Sequence, residues 1–296
     1  MYPIRIPPNN IRNIYKSIWF SIYNKIDYDY SLPSLTDGII ENLVIYDILD
    51  GTRTSLSEKP HYKIRNELEV PYYCLSFIYA LSVLGAKSCV FLVHTSYNRA
   101  RGKKEFERIE NSIKKSYKPF KKFLKKYLIK CHCLSLNSNY EVIELLRDLE
   151  NETRNGKFDA YFLFDYNDEW QKSDKGVKLI ETLPEINVYI RHTKFQPSGG
   201  WIPHKMKKSS FLYSQNGTTF SNWRYDEIIS LVCMALLTKI LNENESLDKK
   251  YPSYNDIRYR YKRRELDLFA KTIYLRENPK KLFILGSPLG PIRVYY

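Results

Sequence analysis

Cysteine is sparse and unpatterned in this chain. The five residues Cys74, Cys89, Cys131, Cys133 and Cys233 are an odd number scattered through the sequence, which excludes a disulfide framework and leaves no metal-binding knuckle. No apolar run approaches the roughly 18 residues that a membrane-spanning helix needs, and the N-terminus lacks the basic-then-apolar layout of a secretion signal. A cytoplasmic protein with at most peripheral membrane contact is therefore predicted. Acidic residues are also in deficit, 33 Asp and Glu against 47 Lys and Arg, for a formal net charge of +14. Such an excess predicts an anionic partner: a nucleic acid, an acidic membrane surface or a phosphorylated small molecule.

Apolar and aromatic residues are ample, 43% and 15% of the 296 residues, enough for one large or two small folded domains and against disorder. Pro3, Pro7 and Pro8 make the first ten residues an irregular arm. Ile11 to Ile26 then places Ile11, Ile14, Tyr15, Ile18, Trp19, Ile22 and Ile26 on one helical face. That face suits either a lid packed on the domain or a helix lying on a membrane surface.

From residue 42 short apolar runs alternate with helical stretches. Strands are predicted at Leu43–Leu49, Ser88–Val93, Ile129–Leu136, Ala160–Phe164 and Val188–Arg191, and helices at Glu67–Leu84, Arg108–Tyr127, Tyr140–Arg154 and Tyr225–Leu241. The run through Cys131-His132-Cys133 alternates with both thiols on one face, a core-packing pattern. This alternation predicts an α/β fold with a central, mostly parallel sheet flanked by helices. The chain divides into an arm and amphipathic helix (1–41), an α/β domain (42–245) and a basic C-terminal extension (246–296).

Ligands of such sheets bind beyond the carboxyl ends of the strands. There the sequence offers Asp50-Gly51-Thr52-Arg53, then the stretch from His94 through Thr95, Asn98, Arg99 and Arg101, then Arg191-His192-Thr193. A carboxylate, hydroxyls, an amide and several cations at one sheet edge suit a phosphorylated ligand with a divalent cation. Residues 99 to 130 hold 13 Lys and Arg against three Glu. Seven lysines between Lys114 and Lys126 flank an apolar stripe of Phe106, Ile109, Ile113, Phe120 and Leu124. The lysines suit a solvated face or attraction to anionic membrane. Nucleic acid ranks last, because the aromatics lie on the apolar stripe and form no exposed stacking platform. A second basic run, Arg258 to Arg264, interleaves Tyr259 and Tyr261 and keeps that alternative open.

Taken in order, these strand ends resemble the cis-prenyltransferases, the undecaprenyl diphosphate synthase family. The family's first strand ends in Asp-Gly-Asn and arginine, matched by Asp50-Gly51-Thr52-Arg53; its Ser-x-x-Asn-x-x-Arg pattern is matched by Thr95, Asn98 and Arg101. An Asn-Tyr-Gly-Gly-Arg-Trp-like segment is echoed by Asp165 to Trp170, Ile-Arg-Thr by Ile190 to Thr193, and Arg-x-Ser-x-Phe-Leu-x-x-Gln by Lys207 to Gln215, with Trp223 near a downstream Trp-Pro. The likeness spans residues 42 to 240. Thr52, Thr54, Tyr97, Arg99 and Asn167-Asp168 depart from it, and the Glu that the family places near Phe220 to help hold metal is missing. Between Arg191 and Ser209 the chain carries an insertion, in which His204 is the side chain able to ligate a metal in its place.

The resemblance implies a single catalytic domain with a hydrophobic tunnel, which condenses isopentenyl diphosphate with an allylic diphosphate. It implies that Asp50 holds Mg²⁺, that Gly51 and Arg53, completed by Arg101 and Lys63, bind the allylic diphosphate, and that Arg191, Lys207 and Ser209 bind isopentenyl diphosphate. Thr95 and Asn98 would sit near the reacting carbons. A homodimer is implied as well. Two other classes stand beside the enzyme: a catalytically silent relative that binds polyprenyl diphosphate or supports a partner subunit, and a basic nucleic-acid-binding protein.

Overall fold

A computed structural model describes residues 9–23, 40–49, 66–100, 102–137, 141–191, 200–207, 209–214, 225, 228–236 and 239, with strands 271–274, 281–285 and 292–295. In chain order the elements are α1 (Ile11–Tyr23), β1 (Val44–Ile48), α2 (Asn66–Leu84), β2 (Ser88–Leu92), α3 (Ser96–Ala100), α4 (Lys103–Lys126), β3 (Ile129–Leu134), α5 (Glu141–Thr153) and β4 (Phe158–Leu163). Next come a 3₁₀ turn (Asp168–Lys172), α6 (Asp174–Glu181), β5 (Val188–Arg191) and β6 (Ser210–Ser214), and then β7 (Lys271–Tyr274), β8 (Lys281–Leu285) and β9 (Ile292–Tyr295). Residues 228–236 are helical.

The expected strands and helices form within a few residues of their predicted bounds, except that the helix expected at Tyr225–Leu241 is described only at 225, 228–236 and 239, where it is helical, and its remainder lies outside the described residues. α4 begins five residues early, at Lys103. α6 and β6 were not expected: eight and five residues are too few for periodicity to stand out.

The sheet order is β3-β4-β2-β1-β5-β6-β9-β8-β7. Every pair from β3 to β9 is parallel, and β8 and β7 add two antiparallel pairs. The sheet is therefore mostly parallel, and three strands from the 246–296 segment continue it. Register lines up one row at the carboxyl ends: Leu134, Leu163, Leu92, Ile48, Arg191 and Tyr213.

Each face of the sheet carries its own core. On one, Phe77 of α2 meets Phe91 edge-on at 5.9 Å between centroids, Phe91 stacks on Phe162 at 5.5 Å, and Phe120 of α4 closes on Phe162. On the other, Tyr46, Ile48, Leu92 and Tyr189 pack against Trp170, Ile180, Ile202 and Met206. Parallel strands buried on both sides read as continuous apolar runs, as the fully buried β2 does.

The lid reading of α1 is the one that the structure bears out. Ile11, Tyr15 and Trp19 are buried in the first core, and Arg12 Nε donates to the Val83 carbonyl at the end of α2. These three residues of the apolar face are used internally and are not available to a membrane. The lysine face of α4 is also partly consumed: Lys114 pairs with Glu141 at 2.6 Å, Lys121 with Asp148 and Glu152 at 3.3 Å each, and Lys125 with Glu152 at 2.7 Å. These acids lie on one face of α5, so part of the charge read as solvated is a helix-to-helix seam. In β3, Cys131 is buried with its N–H on Thr153 Oγ1. His132 lies 2.6 Å from Asp159 and 3.7 Å from Glu150.

Docking of α1 is testable: Trp19→Ala should lower stability by about 3 kcal/mol or more in urea unfolding without any lipid, the cost of a large buried aromatic. An unchanged midpoint would show that α1 does not dock. Burial opposes protonation of His132, but its bonds to Glu150 and Asp159 win and raise its pKa above 6.5. Its stabilisation is therefore full below about pH 6.5 and fades as pH rises through the folded value. His132→Asn should accordingly cost more stability at pH 5.5 than at pH 8.5.

Candidate functional site

The chain's excursions from β1 define where a ligand can sit. The connection from β1 runs through α2 over the first face to β2, on one side of β1. The connection from β5, on the other side of β1, returns over the second face: Gly200 lies against Leu92, Ile48 and Tyr46, and Ile202 and Met206 belong to that core. Adjacent strands whose connections leave over opposite faces open a crevice at their carboxyl ends. Here it lies between Ile48, two residues before Asp50, and Arg191.

Arg191 ends β5 level with Ile48 and is 3% exposed. A buried guanidinium is rare without a compensating environment. Tyr46 Oη donates to the Gly200 carbonyl at 2.8 Å, and Tyr166 Oη donates to the Trp201 carbonyl at 2.6 Å. The Tyr46 and Tyr189 rings lie 5.7 Å apart. Burial raises the Tyr46 phenol well above its usual range, with Tyr189 and Tyr166 adding to this and Arg191 opposing it. Burial pushes Tyr166 up to about 12. Both phenols stay protonated near neutrality and serve as donors that pin segment 200–201 across the strand ends.

The end of β2 contributes a second cluster. Asn98 Oδ1 accepts from both the Thr95 N–H, at 2.9 Å, and Thr95 Oγ1, at 2.7 Å. This double acceptance fixes the amide orientation and leaves Nδ2 as the group Asn98 can offer a ligand. It also makes Asn98 a brace at the start of α3. Just before it, the buried His94 ring stacks on Phe164 at 4.8 Å and meets Phe106 at 5.2 Å. Its Nδ1 lies 3.6 Å from Asp165 Oδ1. Asp165 has φ of 63°, the left-handed region, where the chain turns off β4. Two residues on, Asn167 Oδ1 is buried and finds no hydrogen-bond partner among the described residues.

Of the residues predicted from sequence, the structure brings Thr95, Asn98 and Arg191 to the carboxyl edge. Asp50, Gly51, Arg53, Lys63 and Arg101 lie outside the described residues. Lys207 and Ser209 do not join Arg191, and that expectation is corrected. β5 and β6 are parallel neighbours, so the chain must return to the opposite edge before β6 starts. Ser210 pairs with Val188, three residues or about 10 Å from the Arg191 row. Ser209 Oγ is spent on the Ile186 carbonyl at 2.6 Å, and Lys207 is exposed beyond it. His204, the candidate metal ligand of the inserted loop, lies at the same far edge beside Lys205, whose carbonyl accepts from Ile186 N–H. Among the described residues no group of three or more His, Cys, Asp or Glu is placed to hold a metal ion.

Sequence reasoning missed Tyr46 and Gly200 as parts of this edge, and it placed His94 and Tyr166 at strand ends without giving either a role. Tyr46, inside β1, has the sequence signature of an ordinary core residue.

In solved structures, the chain is similar to lavandulyl diphosphate synthase from Lavandula x intermedia in complex with dimethylallyl diphosphate: TM-score 0.56 and 13% identity over 68% of this chain and 96% of that one. The fold is cis-prenyltransferase-like. A probable undecaprenyl diphosphate synthase from Campylobacter jejuni aligns with TM-score 0.49 and 13% identity, over 66% of this chain and 94% of that one. No family model matches the sequence, and neither does any curated protein.

Gly200 offers a direct test of how the edge is held. Its φ is +76°, and an added Cβ would come within 2.5 Å of Leu92 Cδ2 and 2.9 Å of Ile48 Cδ1. Gly200→Ala should destabilise the protein by about 1–3 kcal/mol, from backbone strain and overpacking together. Thermal unfolding reads this, and a neutral result would mean that the segment does not sit against the strand ends.

Proposed function

We propose that the protein binds isoprenoid diphosphates at the carboxyl edge between β1 and β5 and condenses isopentenyl diphosphate with an allylic diphosphate. The observation that carries this reading is Arg191, a buried guanidinium at the switch point of a cis-prenyltransferase-like sheet, one strand away from the chain leading to Asp50. The solved relative with this fold was captured with dimethylallyl diphosphate.

The chemical difficulty is charge. Breaking the allylic carbon–oxygen bond leaves a diphosphate, and cations fixed before the reaction stabilise it without reorganising. Arg191 presents a planar fork suited to phosphate oxygens and remains charged at any working pH. Arg53, Arg101 and Lys63 would add cations to the allylic diphosphate, and Gly51, which has no side chain, would let it approach the backbone. Asn98 Nδ2 and Thr95 supply polar contacts near the reacting carbons. Asp50, a hard carboxylate just past β1, suits Mg²⁺, which would neutralise diphosphate charge when bound. Lys207 and Ser209 have no part in this scheme.

A second reading is a silent relative that binds the diphosphate without turnover. It is favoured by the commitment of Asn98 Oδ1 to the Thr95 backbone and by the missing Glu near Phe220.

Calorimetry with isopentenyl diphosphate at low salt should show affinity falling by about 1.5–3 kcal/mol on Arg191→Ala, the worth of a charged hydrogen bond, and falling less on Arg191→Lys. Wild type should form product from labelled isopentenyl diphosphate with a donor between dimethylallyl and geranylgeranyl diphosphate. Asp50→Ala should abolish that product while leaving the circular dichroism spectrum unchanged. Binding without product from any donor selects the silent relative, and absence of diphosphate binding removes both readings.

A further inference from the structure

A separate cavity opens at the far side of the sheet, past the carboxyl end of the edge strand β3. Its volume is about 460 Å³, within the usual range for small-molecule sites. Three elements build it, each with one face. Cys133 and Ser135, two residues apart, continue the line of β3. Ile143, Arg147 and Glu150 keep helical spacing on α5, and Lys175, Lys178 and Leu179 do so on α6, with Thr182 just past its end. One wall is thus a helix stripe from the first face of the sheet, the other a stripe from the second, and the strand end is the floor.

The charge here is arranged differently from the neighbouring surface. On α4, Lys114, Lys121 and Lys125 each meet a carboxylate within 3.3 Å. Arg147, Lys175 and Lys178, like the outward Lys118 and Lys122 of α4, make no such ion pair among the described residues, but unlike those two they line one concavity. The single carboxylate, Glu150, lies 3.7 Å from His132 Nδ1. Three like charges held around a common space repel one another, and an anion placed between them relieves this. Ile143 and Leu179 add apolar wall, and Ser135 and Thr182 add hydroxyls.

From this arrangement we infer a second anion site, distinct from the β1–β5 edge, that takes a small phosphorylated molecule. Its phosphate lies between Arg147 and the two α6 lysines, and its organic portion lies along Ile143 and Leu179. Two positive charges in excess of Glu150 match a phosphomonoester or a diphosphate group. The inference does not depend on the protein being a prenyltransferase.

Titration calorimetry with inorganic pyrophosphate at low salt tests it. Wild type should show a binding event that Arg147→Ala/Lys178→Ala weakens by about tenfold or more, the scale of losing charge-assisted bonds. Glu150→Gln should tighten the same event, because it removes the one repulsive charge. Arg191→Ala should leave that event unchanged and weaken only binding at the β1–β5 edge, so an effect on either site is read separately. Lys118→Ala/Lys122→Ala, which alters exposed α4 lysines away from the cavity, should change neither. The inference is overturned if the Arg147/Lys178 pair has no effect, if the α4 control weakens binding equally, or if all pyrophosphate binding disappears with Arg191→Ala.

Discussion

The parallel register that sets Ile48 between Leu92 and Arg191 is the constraint on which the rest of the candidate site depends. It puts the ends of β1, β2 and β5 at one level, so that the segments leaving these three strands start from a single edge. A slip of one residue would turn the Tyr46 and Ile48 side chains from the second face to the first. Both cores oppose such a slip, because each face is filled by side chains that fit only in this alternation.

Burial of Arg191 has to be offset by its surroundings. Taking a guanidinium out of water costs several kcal/mol unless dipoles or charges replace the solvent. The Tyr46 phenol, kept protonated by its own burial and held by its bond to the Gly200 carbonyl, is a fixed polar group that interacts with the cation. Such preorganisation is what the proposed diphosphate site would require, since nothing needs to move when the charge arrives. The same contact explains why a glycine is needed at position 200, where left-handed backbone passes against two aliphatic side chains.

Much of the sheet was legible from residue pattern because each strand is a short apolar run ending in polar residues, and α2, α4 and α5 are long enough for periodicity to show. The strand ends holding Thr95, Asn98 and Arg191 were legible for the same reason. α6 and β6 were too short to stand out. The pairing of the α4 lysines with α5 was hidden because their acidic partners lie 27 residues away. A lysine-rich face has the same sequence signature whether it meets water, membrane or a neighbouring helix.

The error at Lys207 and Ser209 separates what each level determined. Local sequence sets element type, through periodicity and apolar runs, and it sets which residues adjoin a strand. It does not say which edge of the sheet a residue reaches, because that depends on whether neighbouring strands run parallel. Once β5 and β6 are parallel, topology alone sends Arg191 to one edge and Lys207 and Ser209 to the other. The cavity between α5 and α6 arises in the same way. Arg147 and Lys175 are ordinary cations in sequence, and they face one space only because their helices flank the same open edge of β3.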